Sequence, residues 1–129
     1  MIGKERQVRF EAASCIRQQF HSLLTEFPKI KAAIEIFNAN KRTIPPTPLP
    51  AQMRDHKLDG RLKGIMECHL EADVLLLYEH EDDLVRMLYI CRHEDLYGKR
   101  ARQLGTRIQE LRGEMKKKKP SSTPAVRRR

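Results

Sequence analysis

Four prolines fall within the seven residues Ile44-Pro45-Pro46-Thr47-Pro48-Leu49-Pro50. Proline lacks a backbone donor and clashes with the preceding helical turn, so no helix runs through this stretch. It is expected to be an extended connector, and it separates two halves with different hydrophobic periods. Before it, Ala13, Ile16, Phe20, Leu23 and Leu24 recur at helical spacing, and Phe27, Ile30, Ile34 and Phe37 do so again. Pro28 suits the first turn of the second helix, where a missing N–H costs nothing. Two helices joined by a short break predict a helical hairpin. Ahead of them, Val8 and Phe10 alternate with charged neighbours and predict a short first strand.

After the connector and the turn signal Asp59-Gly60, the period becomes two. Leu62, Gly64, Met66, Cys68 and Leu70 share one parity, while Arg61, Lys63, Glu67 and His69 share the other. That places them on opposite faces of a strand. Val74 to Tyr78 is a short apolar run, suited to a central strand buried on both sides. His80 to Asp83 has hairpin-connection character, and Leu84 to Cys91 forms the next strand. Helices followed by consecutive strands predict an α+β domain, a helical hairpin packed on a small antiparallel sheet. From about Asp95, Tyr97, Ala101, Leu104, Ile108, Leu111 and Met115 form one helical stripe. It predicts an added C-terminal helix to Met115, with Gly105 inside it at a cost of about 1 kcal/mol against alanine.

The 129 residues suit one domain, divided as 1–98 for the α+β unit, 99–115 for the helix and 116–129 for a disordered basic tail. The net charge of +9 is segregated: residues 1–95 hold 14 Lys/Arg against 15 Asp/Glu, and residues 96–129 hold 12 against 2. A like-charged block of that kind either solvates a tail or meets an anion such as RNA phosphate. No apolar run approaches the roughly 20 residues that cross a bilayer, and the start lacks the layout of a signal peptide, so a cytoplasmic protein with no membrane contact is expected. Cys15, Cys68 and Cys91 are odd in number and lack CxxC spacing, which predicts reduced thiols.

Three histidines, His56, His69 and His93, fall near predicted strand ends, and Asp73 follows His69 by four positions. Short turns between antiparallel strands bring such positions together. RNA cleavage from within needs a base for the ribose 2′-OH, an acid for the leaving 5′ oxygen and cations for the phosphate. Histidine titrates near neutrality and fills either role. A single histidine is more often a surface or satisfied core residue; His21 and His80 have no partner in the pattern and stand for that case. A metal site from His56, Cys68, His69 and His93 is disfavoured, because Cys68 and His69 are adjacent and point to opposite faces. No metal or cofactor is expected.

The segments Asp55-His56-Lys57-Leu58-Asp59-Gly60, Leu62-Lys63-Gly64, Glu67-Cys68-His69-Leu70-Glu71-Ala72-Asp73 and His93-Glu94-Asp95-Leu96-Tyr97-Gly98 resemble the YafQ branch of the RelE/ParE toxin superfamily over roughly residues 7–98. The resemblance implies a ribosome-dependent mRNA endoribonuclease, the toxin of a type II toxin–antitoxin pair. It implies catalytic roles for His56, His69, Asp73 and His93. Within it, His93 is read as the general acid, His56 or His69 as the base, and Asp73 as the group that orients an imidazole. Lys63 matches a basic position near the substrate phosphate and Tyr97 a terminal aromatic beside a base, with Arg61 and Arg92 as further substrate contacts. The implied partners are mRNA in the 30S A site of the ribosome and a cognate antitoxin, and the assembly is a homo-oligomer or a toxin–antitoxin complex. Met66 stands where members carry arginine and Val74 where a tryptophan often sits, which weakens the expected phosphate stabilisation. The competing expectations are a gyrase-poisoning ParE-like toxin, which does not need the histidines, and a RelE-like fold without activity.

Overall fold

Val74, Leu75, Leu76, Leu77 and Tyr78 have no solvent exposure, and they form the middle of the molecule. The computed structural model describes residues 7–117. Its strands are β1 (Arg9–Ala12), β2 (His56–Lys57), β3 (Met66–Glu71), β4 (Val74–Glu81) and β5 (Leu84–Arg92); its helices are α1 (Ile16–Leu24), α2 (Ile30–Arg42), α3 (His93–Tyr97) and α4 (Ala101–Lys117). The sheet runs in the order β1-β5-β4-β3-β2. All neighbours are antiparallel except β1 and β5, which pair in parallel with Arg9 opposite Leu84.

The apolar run of β4 is dry on both sides because helices cover both faces. Val74, Leu76 and Tyr78 pack with Ile30 and Phe37 of the α1–α2 hairpin, and Cys68 and Leu70 of β3 join them. Leu75 and Leu77 face the other way, against Leu88, Leu96 and Ile108. A bulge in β5 shifts the register between Leu77 and Tyr78, which pair with Tyr89 and Met87. The extra residue, Leu88, is thereby free to join the α4 side.

The predicted hairpin and α+β class hold, and three boundaries differ from expectation. Residues Gly60–Leu62 form a single 3-10 turn and Gly64 has φ 94, so β3 begins at Met66 rather than at Leu62. The left-handed backbone at Gly64 suits glycine and breaks the extended run. β4 continues through His80 to Glu81, and the turn is made at Asp82 with φ 50, a conformation aspartate tolerates. The single C-terminal helix is two, broken at Gly98 (φ −100, ψ −149). A Cβ there would lie 2.4 Å from the Glu94 carbonyl oxygen, so only glycine permits the close turn between α3 and α4. Ile108 and Leu111 are buried as the stripe predicts. α4 runs two residues past Met115, through Lys116 and Lys117 of the expected disordered tail, and the rest of that tail lies outside the described residues. No helix among the described residues is long and apolar enough to cross a membrane.

Candidate active site

His56 and Glu67 are direct cross-strand partners on β2 and β3. Residues opposite one another in an antiparallel pair have adjoining side chains, and His56 Nε2 lies 2.9 Å from Glu67 Oε1. The approach to β2 is fixed from behind. Asp55 accepts from Lys41 Nζ at 3.2 Å and from the Tyr78 hydroxyl at 2.5 Å. Arg54 takes a left-handed conformation (φ 51, ψ 46), which directs its carbonyl to His56 Nδ1 at 2.7 Å. A non-glycine residue held there stores strain that the surrounding contacts must offset.

His69 lies two residues beyond Glu67 in β3 and shares its face. Its Nδ1 is 3.1 Å from the Ala72 carbonyl oxygen. A carbonyl only accepts, so Nδ1 carries the proton and Nε2 is left as the basic nitrogen. His93 opens α3 immediately after β5, and its backbone N–H donates to the Asp73 carbonyl at 2.9 Å, which clamps α3 to the β3–β4 turn. Tyr97 is one helical turn further on, so its ring meets that of His93 at 4.6 Å. The His69 and His93 rings are 6.5 Å apart. Tyr97 donates its hydroxyl to Glu67, at 2.9 and 3.0 Å from the two carboxylate oxygens. One contiguous set results: His56, Glu67, Tyr97, His93 and His69.

Glu67 is 1% exposed and is the member that sequence reasoning missed. It shares the parity of the polar residues Arg61, Lys63 and His69, and α4 together with Tyr97 covers that face. Its two bonds define its chemistry. His56 has Nδ1 committed as donor to a carbonyl, so the contact between Nε2 and the carboxylate requires one further proton, held by the imidazole or by Glu67. The pair shares that proton. Tyr97 is pushed up in pKa by burial and then by its bond to Glu67, so it stays a neutral donor.

The remaining predicted residues divide. Asp73 does not face an imidazole: its Oδ2 accepts from Arg92 Nε at 3.0 Å and from its terminal nitrogen at 2.8 Å. That pair stands beside the cluster, with the Arg92 guanidinium also over the Phe27 ring at 5.6 Å. Arg61 lies against α4 beside Tyr97, its terminal nitrogen 3.5 Å from the Arg102 carbonyl oxygen. Lys63 is apart from the cluster. It lines a cavity of about 610 Å³ with Lys41, Lys57 and His80, on the hairpin face of the sheet. The 3-10 turn that delays β3 is the reason, because it removes Lys63 from the strand parity it was read in. Met66 and Val74 also belong to the hairpin-side core. An uncharged residue at 66 therefore takes no cation from the imidazoles. Cys68 is fully buried on that same side, away from His69, and burial raises its thiol pKa. No metal-binding group of three His, Cys, Asp or Glu side chains occurs among the described residues.

A sequence model of the family described as "Bacterial toxin of type II toxin-antitoxin system, YafQ" matches residues 12–98. The chain belongs to the YafQ family. The mRNA interferase toxin YafQ of Escherichia coli (strain K12) is 41% identical over 51 residues, 40% of this chain and 55% of that protein. The chain thus spans about half the length of the curated relatives it matches. In three dimensions the likeness is longer. The YafQ structure from E. coli strain BL21(DE3) superposes with TM-score 0.58 at 26% identity, over 71% of this chain and 100% of the other. The E. coli DinJ-YafQ complex gives 0.57 at 26%, over 71% and 100%. A metal-bound toxin from Helicobacter pylori gives 0.58 at 25%, over 69% and 98%. All five residues of the cluster lie within the YafQ match, and α4 lies beyond it.

Proposed function

We propose that the chain is a ribosome-dependent mRNA endoribonuclease, the toxin of a type II toxin–antitoxin pair. The observation that carries this reading is the fixed tautomer of His69, whose Nε2 stands free as an acceptor with the His93 ring 6.5 Å away. Two imidazoles at that spacing can address the two sides of one phosphodiester. His69 Nε2 takes the proton of the ribose 2′-OH. The 2′ oxygen attacks phosphorus, the bond from phosphorus to the 5′ oxygen breaks, and a 2′,3′-cyclic phosphate forms. His93 protonates the departing 5′ oxygen. The His56–Glu67 pair holds the Tyr97 hydroxyl, and so fixes the Tyr97 ring beside the two imidazoles. Arg92, held by Asp73, faces the phosphate as a fixed cation, and Tyr97 stacks on a base.

Family membership supports the toxin role, and the DinJ-YafQ complex of E. coli supports a cognate antitoxin as protein partner. The imidazole cluster favours RNA cleavage over gyrase poisoning, which has no use for it. Primer extension on a message translated in a purified system tests the reading. Cleavage at defined positions, only with ribosomes present, is the expected result; an intact message with folded protein present rejects it.

A further inference from the structure

Beside the imidazole cluster, on the far side of the Tyr97 ring, a groove of about 330 Å³ runs between the Gly60–Leu62 turn and the first half of α4. Its floor is apolar, from Leu62 and Leu96; Tyr97 forms the wall shared with the cluster; Arg61 and Arg102 stand on the rim and Asp59 is its one carboxylate. Tyr97 is 51% exposed although its hydroxyl is tied to Glu67. A large ring held by its polar end with its face open is a stacking surface that waits for a flat partner.

Arg61 is held to α4 by several contacts. Gln109 Nε2 donates to the Arg61 carbonyl oxygen. The guanidinium reaches the Arg102 carbonyl. Gly105 makes room for it, since a Cβ there would stand 3.2 Å from Arg61 Cδ. A glycine inside a helix costs about 1 kcal/mol against alanine, and this one keeps the Arg61 stem on the groove. The helix is also positive, with five Lys/Arg against two glutamates. α4 lies outside residues 12–98, so the groove is built half from the family domain and half from the added helix.

We propose that this groove is a nucleotide subsite for the residue of single-stranded RNA adjoining the cleaved phosphate. Its base stacks on Tyr97 over the apolar floor, its phosphate lies on Arg61 and Arg102, and Asp59 accepts from an exocyclic amino group of the base. The inference rests on the ribonuclease reading for the position of the cleaved phosphate, and its own content is the binding of RNA by α4. Continuity through Tyr97 and the two rim arginines select RNA over an apolar occupant.

The experiment uses the full chain and a single-stranded RNA hexamer whose riboses are 2′-O-methylated, so that no cleavage can occur. Binding is followed by anisotropy and by amide shifts in nuclear magnetic resonance. Shifts at Leu62, Ala101 and Gly105 are expected with those at His69 and His93. Arg102→Glu, at an exposed position, should weaken binding by roughly tenfold and steepen no transition in thermal unfolding. Gly105→Leu should fill the groove and weaken binding similarly, and Arg102→Lys should restore most of the affinity lost in Arg102→Glu. Shifts confined to the imidazole side, unchanged affinity in Arg102→Glu, or no binding of the hexamer each overturn the subsite. A message that stays intact while the hexamer occupies the groove instead overturns the ribonuclease reading and leaves the groove standing.

Discussion

His56 and Glu67 face each other at 2.9 Å across two strands, one side chain half exposed and the other 2% exposed. The buried partner holds the exposed one in place and shares a proton with it. A second donor, the Tyr97 hydroxyl, binds the same carboxylate and so ties α3 to β3. Glu67 is therefore the post around which the candidate site is arranged.

Glu67→Gln keeps the shape and removes the shared proton. Turnover should fall by roughly tenfold or more, because the carboxylate that holds His56 and Tyr97 is gone. Cleavage rates on a translated message check this. A rate equal to that of the wild type would leave Glu67 with a packing role only.

His69→Ala and His93→Ala should each lower cleavage by roughly 10²-fold or more, as loss of a base or an acid does. Neither ring belongs to the core clusters, so circular dichroism should be unchanged. The double variant should be little worse than either single one, since the two act in one step. Full activity in either single variant removes that residue from the mechanism.

Stability should decline at alkaline pH. Burial raises the pKa of Cys91 from its ordinary 9.0 to about 12, and raises those of Cys68 and Tyr78 as well. In each case the folded value exceeds the unfolded one, so the stabilisation is fully present below the unfolded value and is lost as pH rises towards the folded value. For Cys91 the window runs from 9.0 to about 12. Each such group contributes a slope of up to about 1.4 kcal/mol per pH unit inside its window. Urea unfolding at pH 7.5 and pH 10.5 measures the difference, and equal midpoints would contradict it.

Ile108 is fully buried between α4 and the sheet. Ile108→Ala should destabilise by about 2–5 kcal/mol through lost burial and the cavity left behind. Hydrogen exchange should quicken along α4 before it does in β4. A protein cut back to the family-matched segment should expose Leu75, Leu77 and Leu88 and aggregate.

The sequence carried the elements whose signals are local. The period of four and three in the hairpin, the prolines of 44–50 and the dry run of β4 each reflect a constraint on neighbouring residues. His56, His69 and His93 could be grouped because strand ends meet at turns. Glu67 was hidden because period two sorts side chains by face and does not say which face is wet. The α4 helix covers the second face, and only the folded chain shows that cover. One 3-10 turn moves Lys63 off the strand parity, and the break at Gly98 depends on a turn so tight that a Cβ would collide with the Glu94 carbonyl oxygen, which no residue spacing records. Asp73 was expected beside an imidazole and instead meets Arg92, 19 positions away.

The parallel ladder of β1 and β5 brings residue 9 beside residue 84. During synthesis at about 5–20 residues per second, the first strand waits roughly 4 to 15 s for its partner to be made. The last imidazole, at 93, is added later still. Contacts so distant along the chain also slow folding, because the loop between them must close before they are rewarded. Whatever reaction the cluster performs is thus withheld from the nascent chain until its final strand and α3 are in place. The delay leaves an interval in which another protein can meet the chain before it has an assembled site.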